Sequence, residues 1–273
     1  MITKLLIITV IGVCFANSLT ANELVNRRIV GGRLAERHEF PYHVALRYKG
    51  KQMAFCGGSI IHNNWILTAA HCFSNLTHMD YDADKIEVVV GTTKLPPPNA
   101  QTVNIFGVSL MAYHPDYVIE TKVNDVALVK TTSDLLKHQK GIYTEKINLD
   151  NSGQGFLASE GTIMGYGDQS RHQSNFRSKV LKTVNVKVLK DDVCRRSSWV
   201  YNAESMMCAG NLEGERDACT GDSGGPLVMK TPQGDLQIAL ISHGFGCARP
   251  DIPAVYTRVS TFYSVIQYVM KNY

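Results

Sequence analysis

The segment Gly221-Asp222-Ser223-Gly224-Gly225-Pro226 constrains this chain more than any other stretch of it. Glycines on both sides of a serine let the backbone turn tightly and come close to a substrate carbonyl. The N–H groups of Gly221 and Ser223 can then converge on one point, where an oxyanion would form. A glycine-rich turn with an incidental serine has the same composition, so the rest of the chain has to distinguish the two.

The segment also satisfies Gly-x-Ser-x-Gly, the nucleophile elbow of α/β-hydrolases, where the acid and the histidine follow the serine. Here only residues 224–273 follow Ser223, too few for the rest of such a sheet, and His243 is the one histidine among them. Upstream lie Thr68-Ala69-Ala70-His71-Cys72 and Asn124-Asp125-Val126-Ala127-Leu128. The order His, Asp, Ser is that of the chymotrypsin fold. With Arg28-Ile29-Val30-Gly31-Gly32 placed like an activation site, four motifs in order make the chain resemble the trypsin-like (chymotrypsin-fold) serine proteases. The resemblance runs from Ile29 to the C-terminus.

Acyl transfer by a serine needs three roles. A hydroxyl is a poor nucleophile at neutral pH, so a base must take its proton. His71 is the candidate, because imidazole titrates near the working pH. A carboxylate must fix the imidazole tautomer and stabilise the imidazolium, and Asp125 is the candidate. The resemblance implies the catalytic set His71, Asp125 and Ser223, with Gly221 and Ser223 forming the oxyanion hole and Ser242 also bonding the aspartate. His38, His43, His62, His78, His114, His138, His172 and His243 lack such motifs and read as surface or satisfied buried groups. His243 stands where the family usually has a tryptophan lining the cleft, so it is expected to touch substrate without doing chemistry.

The resemblance also implies specificity. Asp217 matches the base of the pocket that receives the cleaved residue, and a buried anion there favours Arg or Lys. Gly244 and Ala254 match the pocket walls. Glycine is usual at both, so the Ala254 methyl narrows the pocket and leaves the Arg-versus-Lys balance open.

Residues 1–16 read as a secretory signal: Lys4 precedes an apolar run, Leu5 to Phe15, too short for a resident span. Cleavage after Ala16 or Ala21 fits the small-residue rule. Residues 17–28 read as an activation propeptide cut after Arg28, leaving residues 29–273 as the peptidase domain. In the resemblance, the new Ile29 amino group pairs with Asp222 and orders the Gly221–Ser223 loop, so cleavage is the switch. Leaving such a buried carboxylate unpaired costs about 3–5 kcal/mol.

Cys14 leaves with the signal, and six cysteines remain in an oxidising compartment. Counting alone allows 15 pairings. The resemblance implies Cys56–Cys72, Cys194–Cys208 and Cys219–Cys247. No Cys-x-x-Cys pair is present, so a metal use is discounted. Residues 91–103 hold no Asp or Glu, and a calcium site is not expected in a loop without such oxygens. No cofactor is expected.

The net charge is +4, of which the first 28 residues carry half, giving no reason to propose a nucleic-acid or membrane partner. Expected partners are protein or peptide substrates with Arg or Lys at the cleaved bond, an activating trypsin-like protease and protein protease inhibitors. The expected product is a secreted, extracellular monomer. A catalytically silent homologue acting as a binding protein is the alternative, although such proteins usually lose a triad residue and none is lost here.

Many short, β-branched segments with turns between them predict an all-β fold. They include Pro41–Tyr48, Gly58–Ile61, Trp65–Thr68, Ile86–Val90, Val126–Lys130, Gly161–Met164 and Lys179–Leu189. Their alternation is expected to place one face of each strand inside. The resemblance specifies two six-stranded antiparallel barrels with the active site between them. Phe262, Val265, Ile266, Val269 and Met270 recur at helical spacing and predict a C-terminal α-helix, with Ser260 or Thr261 as N-cap. The loop Phe73–Lys85 is long, is expected to border the leaving-group side of the cleft, and carries a glycosylation sequon at Asn75.

Overall fold

The computed structural model describes residues 32–74, 83–102, 104–137, 141–168, 177–197, 200–214 and 216–273. The expected signal and propeptide, Arg28, Ile29, Asn75, His78, His138 and His172 lie outside these residues.

A two-residue strand, β1 (Arg33–Leu34), precedes the first barrel. That barrel contains β2 (His43–Tyr48), β3 (Cys56–His62), β4 (Trp65–Thr68), β5 (Ile86–Val90), β6 (Ile105–Tyr113) and β7 (Ala127–Thr131). It closes in the order β2-β3-β4-β7-β6-β5, and every pairing is antiparallel. The helix α1 (His71–Ser74) follows β4.

The second barrel contains β9 (Glu160–Gly165), β10 (Lys182–Val188), β11 (Met206–Gly210), β12 (Pro226–Thr231), β13 (Gly234–His243) and β14 (Ala254–Arg258). It runs β10-β11-β14-β13-β12-β9 and closes through β9 and β10. Strand β1 adds to β10 and β8 (Asn148–Leu149) runs parallel to β13. A short helix, α2 (Asp191–Ser197), joins β10 to β11. Two six-stranded antiparallel barrels were the expected architecture.

The period-2 pattern does more than separate inside from outside. In the first barrel Val44, Leu46, Ile66, Val88, Val90, Ala127 and Val129 fill the barrel interior. Their neighbours Ala45, Trp65, Leu67, Val89, Val126 and Leu128 join a separate core that also holds Met164, Val228 and Leu240 of the second barrel. Successive side chains point to opposite faces, and here both faces are covered. The expected inside–outside alternation therefore fails on β2, where even Arg47 is 0 % exposed. Its guanidinium is held by the Glu87 carboxylate at 2.9 Å and the Pro96 carbonyl at 2.8 Å.

The C-terminal helix α3 (Val259–Asn272) buries Val259, Phe262 and Ile266, with Val269 and Met270 partly covered against the same core. Two details differ from expectation. The N-cap is Arg258, with no side-chain capping bond, and the Thr261 hydroxyl instead donates to the Glu204 carbonyl. Val265 is 39 % exposed, because the covered stripe is narrower than the apolar one. No helix among the described residues is long and apolar enough to cross a membrane.

All three implied disulfides form, Cys56–Cys72, Cys194–Cys208 and Cys219–Cys247. They close separations of 16, 14 and 28 residues. Loops of that size each remove about 3 kcal/mol of chain freedom from the unfolded state.

Candidate active site

The barrels meet along a cleft, and each supplies part of it. His71 opens α1 directly after β4, and the neighbouring Cys72 ties that turn back to β3 through Cys56. Asp125 precedes β7 and is completely buried. Its Oδ1 accepts from the His71 backbone N–H at 2.8 Å. Its Oδ2 lies 2.7 Å from His71 Nδ1 and accepts from the Ser242 hydroxyl at 2.5 Å. The Asp125 carbonyl accepts from Thr257 Oγ1 of β14 at 3.1 Å, so the second barrel holds its backbone too. Burial alone pushes this carboxyl upward, but the charge and hydrogen bonds of His71, with the Ser242 bond, outweigh it. The net effect holds Asp125 below the usual carboxylate range.

Ser223 sits in the loop before β12. The loop is packed against the first barrel: Gly57 N–H donates to the Ser223 carbonyl at 2.8 Å, and Thr68 Oγ1 donates to the Gly57 carbonyl at 2.8 Å. Gly224 has φ +78°, and a Cβ there would stand 2.2 Å from Thr68 Oγ1, so no larger residue fits. Within the loop, the N–H groups of Asp222, Gly224 and Gly225 donate to the carbonyls of Cys219, Ile241 and Asp222. Among the described residues no backbone carbonyl accepts from the N–H of Gly221 or Ser223. Those two donors are the ones the sequence singles out for an oxyanion.

A cavity of about 290 Å³ is lined by His71, Lys122, Ala218, Ser223, Ser242, His243, Gly244 and Ala254, among others. Ser223 and His71 thus line one cavity. An ideal Cβ on Gly244 would fall 3.7 Å from the Ala254 methyl. The space between these two walls exists because Gly244 has no side chain. A larger cavity, about 560 Å³, lies beside β10 and β11 and contains none of these groups.

Asp217 is 3 % exposed and does not line the cavity itself, whereas the adjacent Ala218 does. Its carboxylate accepts from the Ala218 N–H at 2.8 Å and the Ala248 N–H at 2.9 Å. Burial pushes it up to about 7 against those two bonds. An anion so placed gains from any cation that enters.

Asp222 is fully enclosed by glycines. A Cβ at Gly165 would lie 2.0 Å from its Oδ1, and one at Gly167 would lie 2.5 Å from its Oδ2. The Gly167 N–H donates at 2.7 Å and the Cys219 N–H at 2.9 Å. Burial raises this carboxyl to about 6, with Asp168 adding to the rise and Arg177 opposing it. Its expected partner Ile29 lies outside the described residues.

Among the eight other histidines, His43 departs from expectation. It is buried at the interface of the barrels, 5.6 Å from the Tyr166 ring, and its Nε2 has no hydrogen-bond partner among the described residues. Burial drives it down to about 3, so it stays neutral. His243 lines the cleft as expected, with Nδ1 3.1 Å from the Ser242 hydroxyl. Burial holds it near 4. Cys56, His71 and Cys72 bring metal-ligating atoms together, but the two sulfurs are bonded to each other.

Several supporting residues escape a motif reading. Thr68, Thr257, Gly165 and Gly167 act through distant partners that only the pairing of strands reveals. Lys122 stands three residues before Asp125, and nothing in its spacing announces that it faces the cleft.

Two antiparallel six-stranded barrels, with a partly exposed histidine on a buried aspartate and a serine in a packed loop on the same cavity, define the chymotrypsin fold. Residues 29–266 match the family described as Trypsin. The chain is 33 % identical to "Trypsin" of Sus scrofa over 243 residues, 88 % of this chain and 94 % of that protein. It is 32 % identical to "Serine protease 1" of Rattus norvegicus over 268 residues, 97 % of each. It is also 33 % identical to "Anionic trypsin" of Canis lupus familiaris over 243 residues, 88 % of both chains. The chain belongs to the trypsin family of serine proteases.

Proposed function

We propose that this chain is a secreted endopeptidase, made as a zymogen, that cleaves after Arg or Lys once the bond following Arg28 is cut. Ser223 attacks the scissile carbonyl while His71 takes its proton. Asp125 holds the imidazole in the tautomer whose Nδ1–H faces the carboxylate and stabilises the imidazolium. The N–H groups of Gly221 and Ser223 receive the oxyanion. His71 then returns the proton to the leaving amine, and water resolves the acyl-enzyme by the same steps. This is the general Ser-His-Asp mechanism.

The observation that carries the reading is the Asp125 carboxylate with three hydrogen bonds, two of them to His71, where His71 lines the same cavity as Ser223. The buried Asp217, next to the cavity-lining Ala218, supports the preference for a basic residue. The family match beginning at Ile29 and the enclosed Asp222 support activation by a new N-terminus. Three disulfides suit an extracellular protein, and a trypsin-like protease is the activator that Arg28 calls for. Protein protease inhibitors that present Arg or Lys are the expected regulators, and Asn75 is the proposed glycan site.

The test is to express the zymogen, cut it with a trace of trypsin and assay Arg-, Lys- and Phe-amide peptides. Turnover of Arg or Lys amides is expected only after Ile29 is exposed, and none in Ser223→Ala. Cleavage of Phe amides instead would remove Asp217 from its role. No turnover from protein with a confirmed Ile29 terminus would favour a silent binding homologue.

A further inference from the structure

Lys122 lies in the first-barrel wall of the cleft, on the segment that leads into Asp125, and lines the same cavity as His71, Ser223 and His243. The backbone there is unusual: Lys122 has φ +57° and Asn124 φ +59°. Left-handed conformations cost a non-glycine residue free energy and cluster at working sites. The Lys122 ammonium donates to the Tyr117 hydroxyl at 3.2 Å and stands 5.9 Å from that ring's centre. Tyrosine is neutral, and no described carboxylate forms an ion pair with Lys122. Its positive charge is felt inside the cleft, where it helps to keep His243 neutral. Among the described residues that line the cavity, Lys122 is the one Lys or Arg side chain.

A peptide bound in extended form sends successive side chains to opposite sides. If the cleaved residue enters the second-barrel pocket toward Asp217, the residue before it turns to the first-barrel wall, where His71 and Lys122 stand. We propose that Lys122 is a specificity-determining residue that favours Asp or Glu immediately before the cleaved Arg or Lys. The cleft then reads an acidic–basic pair with a cation and an anion of its own. This rests on the endopeptidase reading above.

The test uses the activated full chain and three peptide amides that end in Arg and differ only in the preceding residue, Glu, Gln or Lys. The expected order of kcat/KM is Glu, then Gln, then Lys, with Glu over Lys by roughly tenfold at low salt. The ratio should fall toward unity as salt shortens the screening length, a readout that needs no variant. Lys122→Glu should reverse the order and Lys122→Met should flatten it. Equal rates for the three peptides, or an order unchanged in Lys122→Glu, would overturn the proposal while leaving the endopeptidase reading intact. Absence of turnover on all three would overturn both.

Discussion

The carboxylate of Asp125 takes three donors, two of them from His71 and one from Ser242, and is held low. Asp217 and Asp222, a short way into the second barrel, take two backbone N–H groups each and are pushed up to about 7 and about 6. All three are buried. The difference is the charge nearby. Asp125 faces an imidazole supplied by the fold, whereas no cation of the described chain bonds to Asp217. One region is electrostatically complete and the other is not: under the proposed function a substrate side chain would complete Asp217 and a new amino terminus would complete Asp222.

The largest expected effect breaks the complete region. Asp125→Asn keeps the shape but replaces an acceptor with a group that can donate, so the imidazole loses its fixed tautomer. The expected loss in kcat is about 10,000-fold, the size general to such triads, with KM for an Arg amide changed far less. A loss under tenfold would mean that the His71–Asp125 contact orients nothing that matters in the reaction.

The incomplete region should respond differently. Asp217→Asn removes the charge that a basic side chain seeks, and kcat/KM on Arg amides should fall by roughly 100- to 1000-fold. Stability should move the other way. Asp217 carries a folded-state pKa near 7, above its unfolded value, so the folded protein binds the extra proton between about pH 4 and 7. Its ionisation therefore costs stability as pH rises through that window. The Asn variant should melt higher than wild type at pH 8, and the gain should vanish by about pH 4. The same titration predicts that a small amidine inhibitor binds progressively more weakly as pH falls below 7. Affinity flat from pH 8 to 5 would show that Asp217 stays ionised in the empty pocket.

The two regions were also unequally legible in the sequence. Gly221–Pro226, His71 and Asp125 are local words, each readable within six residues, because a nucleophile turn and a strand end need particular residues in a row. The barrels were legible because β-branched runs and turns recur. Which face of β2 or β4 meets which core was not, because apolar alternation looks the same whether the second face meets water or another barrel. His43 and Arg47 show the cost of that ambiguity: they share the face of β2 opposite Val44 and Leu46, and both are buried. The Asp222 cradle, made by glycines more than 50 residues away in sequence, could not be seen without the pairing of β9 and β12.

The finest test asks whether the donors to Asp125 act singly or as a unit. Ser242→Ala removes one of three and leaves both His71 bonds in place. Loss of one charge-assisted hydrogen bond at a site still well supplied should cost about 1 kcal/mol, or roughly fivefold in kcat. The Ser242 bond is one of the interactions that hold Asp125 low, so without it the carboxyl should shift upward. A depressed carboxyl contributes stability above its unfolded pKa and loses it as pH falls through the folded one. The melting temperature of Ser242→Ala should accordingly trail wild type at pH 7, and the gap should close as pH falls below the usual carboxylate range. A loss approaching that of Asp125→Asn would instead mean that the second barrel, through Ser242, places the aspartate, so that even the complete region depends on the partner barrel for its geometry.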